Sequence, residues 1–231
     1  MSGKPSIVFA HGLWADGSCF SGVIEPLIAD GYEVISTQNH LNTVADDAAS
    51  VRLSLGRASG PVVLVGHSYG GSVITAGGAD DRVKALVYIC AFAPEDGAAT
   101  QDDQGKFPQT PIFQHVEAAD GRLYLRRSGI PEFAGDLPEA GQSLIWSTQM
   151  GPLADLFTQP VWGAAWKTRP TYYIVGTEDR TIQPDLQRFL AKRMNAEVTE
   201  LASSHVPMLS QSRRVYEVIR SAADAVQQSL S

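Results

Sequence analysis

The chain is poor in cysteine, with Cys19 and Cys90 alone among 231 residues, far apart and outside any CxxC spacing. That excludes a disulfide framework and a structural zinc cluster, and it fits a reducing, cytoplasmic setting. Positive charge is also scarce: 18 Lys and Arg stand against 25 Asp and Glu, for a formal charge of −7. A nucleic-acid surface needs clustered cations to displace counterions from phosphates. The only close basic pairs, Arg126-Arg127 and Arg213-Arg214, read as solvated faces, so no nucleic-acid partner is expected. The same acidic balance disfavours highly anionic substrates. No apolar run approaches the roughly 18 residues of a membrane span. The opening MSGKPSIVFAHG, with one lysine and a four-residue apolar run, is too short-cored for a signal peptide. The GxxxxGK phosphate loop and the GxGxxG dinucleotide turn are both missing. No residue pattern calls for metal, flavin or nicotinamide, so no cofactor is expected.

What is present is the composition of a globular protein, 44% hydrophobic and 19% charged, of a length that one α/β domain over residues 1–231 accommodates. From residue 6 onward short apolar runs alternate with helical patterns, the signal of βαβ units and a parallel sheet. Strands are predicted at 6–10, 32–37, 61–65, 83–90, 171–175 and 197–201. Helices are predicted at about 18–30 with Ser18 as cap, 43–55, 69–76, 184–194 and from 212, the last with Val215, Val218, Ile219, Ala222, Ala225 and Val226 as its apolar stripe. The alternation breaks once. The segment from Pro94 to Arg169 holds seven of the 13 prolines and three of the four tryptophans. With a turn signal AADG between HVE and RLYLRR, it reads as a hairpin and short helices. The expected fold is therefore α/β, about six mostly parallel strands with helices on both faces and a cap insertion, about 95–169, after the fourth strand. That insertion opens at the carboxyl end of a strand, where parallel sheets place their ligand sites.

Within the chain, PVVLVGHSYGGSVIT (61–75) carries Gly-x-Ser-x-Gly, a pattern chance places in roughly one such chain in six. Position raises its value. Ser68 falls on a tight turn from a strand into a helix, the context that holds a nucleophilic serine out from a sheet edge. Gly66 and Gly70 flank it where side chains would collide, and Gly71 lets helix and strand approach. Of five histidines, His205 in SSHVPML follows the last strand at the same edge and is placed to accept the serine proton. His67 should project away, His40 follows a strand too early, His11 shapes backbone, and His115 lies in the insertion. An acid to orient His205 is offered by GTEDRTIQP after the strand at 171–175: Asp179 is favoured, with Glu178 and Asp96 as lesser candidates.

The order Ser68, Asp179, His205, each after a parallel strand, together with FAHGLW, VGHSYGG, VGTEDRTIQP and SSHVPML, resembles the α/β-hydrolase fold over essentially the whole chain. Within it the compact core is similar to the esterase-like group of plant methyl esterases, hydroxynitrile lyases and bacterial serine esterases. The resemblance implies that the backbone N–H groups of Leu13 and Tyr69 form an oxyanion hole. Lyases of this group carry threonine where this chain has Gly12 and lysine where it has Val206, so lyase chemistry is not implied. Related dehalogenases and epoxide hydrolases use Asp, and dienelactone hydrolases Cys, at the position of Ser68; serine implies acyl transfer. The expected activity is hydrolysis of a small-molecule carboxylic ester through an acyl-enzyme. Trp14, Phe113, Trp146, Leu153 and Phe157 are the candidate substrate-binding side chains. The rival expectations are a ligand receptor with slow vestigial hydrolysis, or a triad enzyme of other chemistry such as a C–C hydrolase, lactonase, hydroxynitrile lyase-like enzyme or perhydrolase. The cap or the last helix is the candidate surface of a homodimer.

Overall fold

The computed structural model describes residues 3–229. Six strands form one sheet: β1 (Ser6–Ala10), β2 (Val34–Thr37), β3 (Val62–His67), β4 (Val83–Ile89), and, beyond the insertion, β7 (Thr171–Gly176) and β8 (Glu197–Leu201). Their order is β2-β1-β3-β4-β7-β8 and every pairing is parallel. The near-continuous apolar sequences of β1, β3 and β4 follow from that arrangement, since a strand covered on both faces has no polar side to present. Helix α1 (Ser21–Ala29) packs with α9 (Ser212–Ser229), and α2 (Val44–Arg57) packs with α3 (Gly70–Gly77), while α7 (Pro184–Arg193) lies on β7 and the one-turn α8 (Pro207–Ser210) against α9. The expected stripe of α9 holds at Val215, Ile219, Ala222 and Val226, but Ala223 is buried where Ala225 was expected.

Local chemistry accounts for the helix boundaries. Thr43 caps α2, its hydroxyl accepting from Asp46 N–H at 3.0 Å. Ser18 does not cap α1: the Asp16 carboxylate accepts from Ser18 N–H at 2.7 Å and starts a turn of 3₁₀ helix, Gly17–Phe20, and α1 begins only at Ser21. Between β4 and β7 the chain forms α4 (Thr100–Gln104), the hairpin β5 (Val116–Ala119) and β6 (Arg122–Leu125), α5 (Ile130–Ala134) and α6 (Glu139–Thr148). The AADG signal is the hairpin turn, with Asp120 and Gly121 both at positive φ, as a two-residue hairpin loop requires. Ile112, Leu125, Phe133, Leu156 and Trp166 of this segment join the same apolar core as the sheet. No helix among the described residues is long and apolar enough to cross a membrane.

Because the strands are parallel, the loops after β1, β3, β7 and β8 all leave from one edge. The chain from β4 to β7 closes over it.

Candidate active site

Ser68 sits one residue beyond β3 at φ +56, in the left-handed region that a non-glycine residue rarely adopts. The turn is pinned on both sides of it. Ser68 N–H donates to Ile89 O at 3.1 Å, and its carbonyl accepts from Phe92 N–H at 3.1 Å and Gly71 N–H at 3.0 Å. The tightness is steric: a Cβ on Gly66 would lie 2.6 Å from the Gly70 carbonyl oxygen. Such strain persists only where the surroundings impose it, and it marks functional positions.

His205 occupies the loop between β8 and α8, fully buried, with Nδ1 2.7 Å from Asp179 Oδ2. Its other nitrogen, Nε2, is buried and has no hydrogen-bond partner. Asp179 is held by four donors. Oδ1 accepts from Thr181 N–H at 2.7 Å and Ile182 N–H at 2.9 Å; Oδ2 accepts from His205 and from Gln187 Nε2 at 2.7 Å. A carboxylate with both oxygens taken by two donors each keeps one orientation. Glu178 is exposed, its N–H donating to Ser203 O, and Asp96 is exposed with its carboxylate on Gly163 N–H. Neither meets His205.

Further residues that the sequence did not single out hold the histidine. His67 does not project away: its Nε2–H donates to the His205 carbonyl at 2.8 Å, and the two rings lie 4.8 Å apart. Burial, with the His205 ring beside it, holds the His67 imidazole well below its ordinary value, so it stays neutral. Asp136, from the insertion, accepts from Ser204 N–H at 3.0 Å and from the Ser204 hydroxyl. The edge of Phe133 meets the His205 ring at 5.1 Å. Gln187, eight residues beyond Asp179 on α7, also accepts from Gly176 N–H at 3.0 Å and donates to Ile182 O, closing the acid loop on itself. No local pattern announces these partners.

Beside Ser68 lies a cavity of about 220 Å³, walled by Leu13, Trp14, Phe92, Ile112, Phe113 and Phe157, with Gln101, Gln104 and Thr181 as its polar members beside Ser68. Of the candidate substrate-binding side chains, Trp14, Phe113 and Phe157 line this cavity and Trp146 and Leu153 do not. Trp146 stands on α6 with the Arg127 guanidinium 4.2 Å over its ring, on the outside. Leu153 forms an isolated bridge with Arg122, and its neighbours Pro152 and Ala154 line the cavity while Leu153 itself does not. The Leu13 and Tyr69 N–H groups have no hydrogen-bond partner among the described residues. Tyr69 is fully buried and anchored by its ring, the hydroxyl donating to Asp47 Oδ2 at 2.9 Å. Asp47 also accepts from His40 N–H at 2.6 Å and Leu41 N–H at 3.2 Å, and burial nonetheless pushes its carboxyl above the usual range.

His11 is structural. Nδ1–H donates to Gly12 O and Nε2 accepts from Asn39 N–H, both at 2.9 Å, and burial holds the ring below its ordinary value. His40 is exposed and His115 half-buried, each beside a serine hydroxyl, Ser50 and Ser128. The grouping with metal-ligand character among the described residues is Cys90, Asp179 and His205, all buried. Its carboxylate already takes four donors, so the set works as a hydrogen-bond cluster rather than a cation cradle.

A strained serine, a buried histidine with one free nitrogen, a carboxylate with four donors and an apolar chamber lie at one edge of the sheet, and known proteins share the fold that places them there. The pyrethroid hydrolase of Sphingobium wenxiniae is 28% identical over 248 residues, covering 95% of this chain and 88% of its own. The carbendazim hydrolyzing esterase of Nocardioides sp. is 32% identical over 114 residues, 40% of this chain and 44% of its own. The crystal structure of polyneuridine aldehyde esterase has the same fold, with a TM-score of 0.82 at 15% identity, covering 95% of this chain and 99% of that one. The chain is an enzyme of this ester-cleaving class. The model of the alpha/beta hydrolase family matches residues 7–218, across every strand of the sheet, and the chain belongs to that family.

Proposed function

We propose that the protein hydrolyses a neutral, apolar carboxylic ester through an acyl-enzyme, with Ser68 as nucleophile, His205 as base and Asp179 as its orienting acid. The observation that carries this reading is the His205–Asp179 contact of 2.7 Å, which leaves Nε2 as a buried, unpartnered nitrogen at the sheet edge where Ser68 is held in strain. In the reaction Ser68 Oγ bonds to the ester carbonyl carbon as its proton passes to Nε2. The carbonyl oxygen, now an anion, takes the free N–H groups of Leu13 and Tyr69, each worth on the order of 3 kcal/mol to the transition state. The bond to the alcohol oxygen then breaks, that oxygen leaves with the proton from Nε2, and water repeats the sequence to release the acid and restore Ser68. Asp179 holds the ring in the tautomer with hydrogen on Nδ1 and stabilises the imidazolium that forms.

The chamber walls carry no charged residue, which favours a neutral substrate, and the relatives named pyrethroid hydrolase and carbendazim hydrolyzing esterase support an ester as the bond cleaved. Gly12 supports hydrolysis over the lyase alternative: a Cβ there would meet the Ser68 Cβ at 2.6 Å, leaving no room for threonine. Both cysteines are free thiols, which suits a reducing cytoplasm. The test is Ser68→Ala, which is expected to abolish hydrolysis of p-nitrophenyl butyrate while the melting temperature holds. Undiminished turnover in that variant would sink the assignment.

A further inference from the structure

The chamber beside Ser68 has a buried floor and an open mouth. Ser68 lies at the floor, while Gln101, exposed, and Gln104, half-buried, lie at the mouth. These two glutamines and Phe113 also line an outer groove, so chamber and groove meet along them. Both glutamines belong to α4, three positions apart and therefore on one side of the helix. The other three residues of that five-residue helix hold it in place. The Thr100 and Ser72 hydroxyls lie 2.9 Å apart, the Asp102 carboxylate accepts from Ala99 N–H at 2.8 Å, and Asp103 takes both Arg193 and Lys106. Gln101 and Gln104 are the members of α4 that line the chamber, and neither carboxamide has a hydrogen-bond partner among the described residues.

A partly buried carboxamide without a partner costs stability, and an aliphatic residue would suit an apolar wall better. Two free carboxamides on a fixed helix, at the mouth of a chamber that ends on the nucleophile, are placed to read the far end of an ester held at Ser68. We propose that Gln101 and Gln104 are specificity-determining residues that hydrogen-bond a neutral carbonyl oxygen carried by the substrate away from its ester. This rests on the ester-hydrolase reading above. Each carboxamide offers two N–H donors, so one carbonyl oxygen, with its two lone pairs, can accept from both glutamines. Charge is not what this mouth selects. The chamber has no charged lining residue, and the two charged residues of the groove are already engaged, Asp102 with Ala99 N–H and Lys106 with Asp103 at 2.9 Å. Gly105, Phe107 and Gln109 complete the groove. Inside the chamber the one further polar residue besides Ser68 is Thr181, whose hydroxyl is directed to Glu132 O at 3.4 Å. The apolar walls take the carbon chain between the two polar ends. A dry cavity of about 150 Å³ holds a benzene molecule, so about 220 Å³ has room for a chain of several carbons.

Esters matched in shape test this. Methyl 5-oxohexanoate and methyl 7-oxooctanoate are paired with methyl 5-methylhexanoate and methyl 7-methyloctanoate, and 5-oxohexyl acetate with 5-methylhexyl acetate places the same difference in the alcohol half. The double variant Gln101→Leu/Gln104→Leu removes both carboxamides at nearly constant bulk. In at least one pair it is expected to lower the keto-to-methyl ratio of kcat/KM at least fivefold, through a raised KM for the keto ester. Gln104→Glu, which keeps the shape but carries no side-chain N–H, should lower the same ratio. A ratio within twofold of the native value in every pair, or a loss shared equally by both members of each pair, overturns the proposal. A second measurement needs no turnover. Methyl 7-oxooctanoate and 5-oxohexyl acetate are titrated by calorimetry into Ser68→Ala protein, and one of them should bind at least fivefold more weakly once both glutamines are leucine; unchanged affinity for both, or binding of neither, overturns the proposal. A native protein that hydrolyses none of these esters but shows that binding difference would refute the hydrolase reading and leave the glutamine subsite standing.

Discussion

Asp179 shows how much a single residue depends on partners that lie elsewhere in the chain. Thr181 and Ile182 close a local turn on its Oδ1, a consequence of two N–H groups following an aspartate. Oδ2 depends on Gln187, buried on α7. Replacing Gln187 with leucine leaves the Gly176 N–H without an acceptor and removes one donor from a buried carboxylate. The expected cost is about 1–3 kcal/mol of stability, from the desolvation of groups left unpaired. Turnover of a neutral ester should fall through kcat, with KM nearly held, because Gln187 touches the acid and not the chamber. Urea unfolding and steady-state kinetics on Gln187→Leu check both, and a variant with native kcat would show that Asp179 needs no such support. The position of Ser68, His205 and Asp179 at one sheet edge was legible because each follows a strand in an order that one topology brings there. The positions of Trp146 and Leu153 were not, because the direction of a side chain on a cap helix or a loop is set by contacts distant in sequence.

At the scale of elements, the insertion is held to the core by a buried ion pair. Arg193 at the end of α7 forks onto Asp103 of α4, its two terminal nitrogens donating at 3.0 and 2.8 Å, and the guanidinium lies 5.6 Å from the Trp166 ring. Arg193 and Lys106 hold the Asp103 carboxyl below the usual range although burial opposes them. The Thr100 and Ser72 hydroxyls, 2.9 Å apart, tie α4 to α3 as well. Helix α4 carries Gln101 and Gln104 to the chamber beside Ser68, so this latch sets the chamber's mouth. Arg193→Met leaves Asp103 with Lys106 alone and should cost about 3 kcal/mol, the low end for breaking a buried pair. Adding Asp103→Leu should recover much of that loss, since the unpaired charge rather than the missing pair is the larger penalty. Urea unfolding of the single and double variants decides it: a double variant less stable than Arg193→Met contradicts the latch. The strands and the hairpin turn were readable from alternation and from Asp120-Gly121, whereas this clamp joins residues 90 apart and left no local trace.

Over the whole molecule, acid stability follows from the neutral histidines buried under the site. His11 and His67 are both held below their ordinary value of 6.5 by burial, so an unfolded chain binds protons that the folded chain refuses. Their contribution is complete above that value and is lost as pH falls below it, by up to about 1.4 kcal/mol per histidine for each pH unit. Asp47, pushed up by burial, works in the opposite direction above its ordinary 3.8. Asp80, held near about 2 by Arg82, matters only in stronger acid. The urea midpoint is therefore expected to fall between pH 7.5 and 5.5, and to fall less in His67→Gln, which keeps a donor for the His205 carbonyl. A midpoint independent of pH over that range, or an unchanged slope in the variant, would disprove the account.

By itself the sequence determined the parallel sheet, the strained serine turn and the order of its three chemical groups. Each of these rests on short-range physics: apolar runs that must be buried on both faces, glycines where a Cβ has no room, and a topology that delivers successive strand ends to one edge. Only the tertiary structure decided that His67 and Asp136 grip the histidine loop, that Gln187 completes the acid, and that Gln101 and Gln104 share one apolar chamber with Ser68. Those features depend on where side chains from separate segments point once packed. Close packing fixes that direction through neighbours far away in the chain, and no local pattern carries the information.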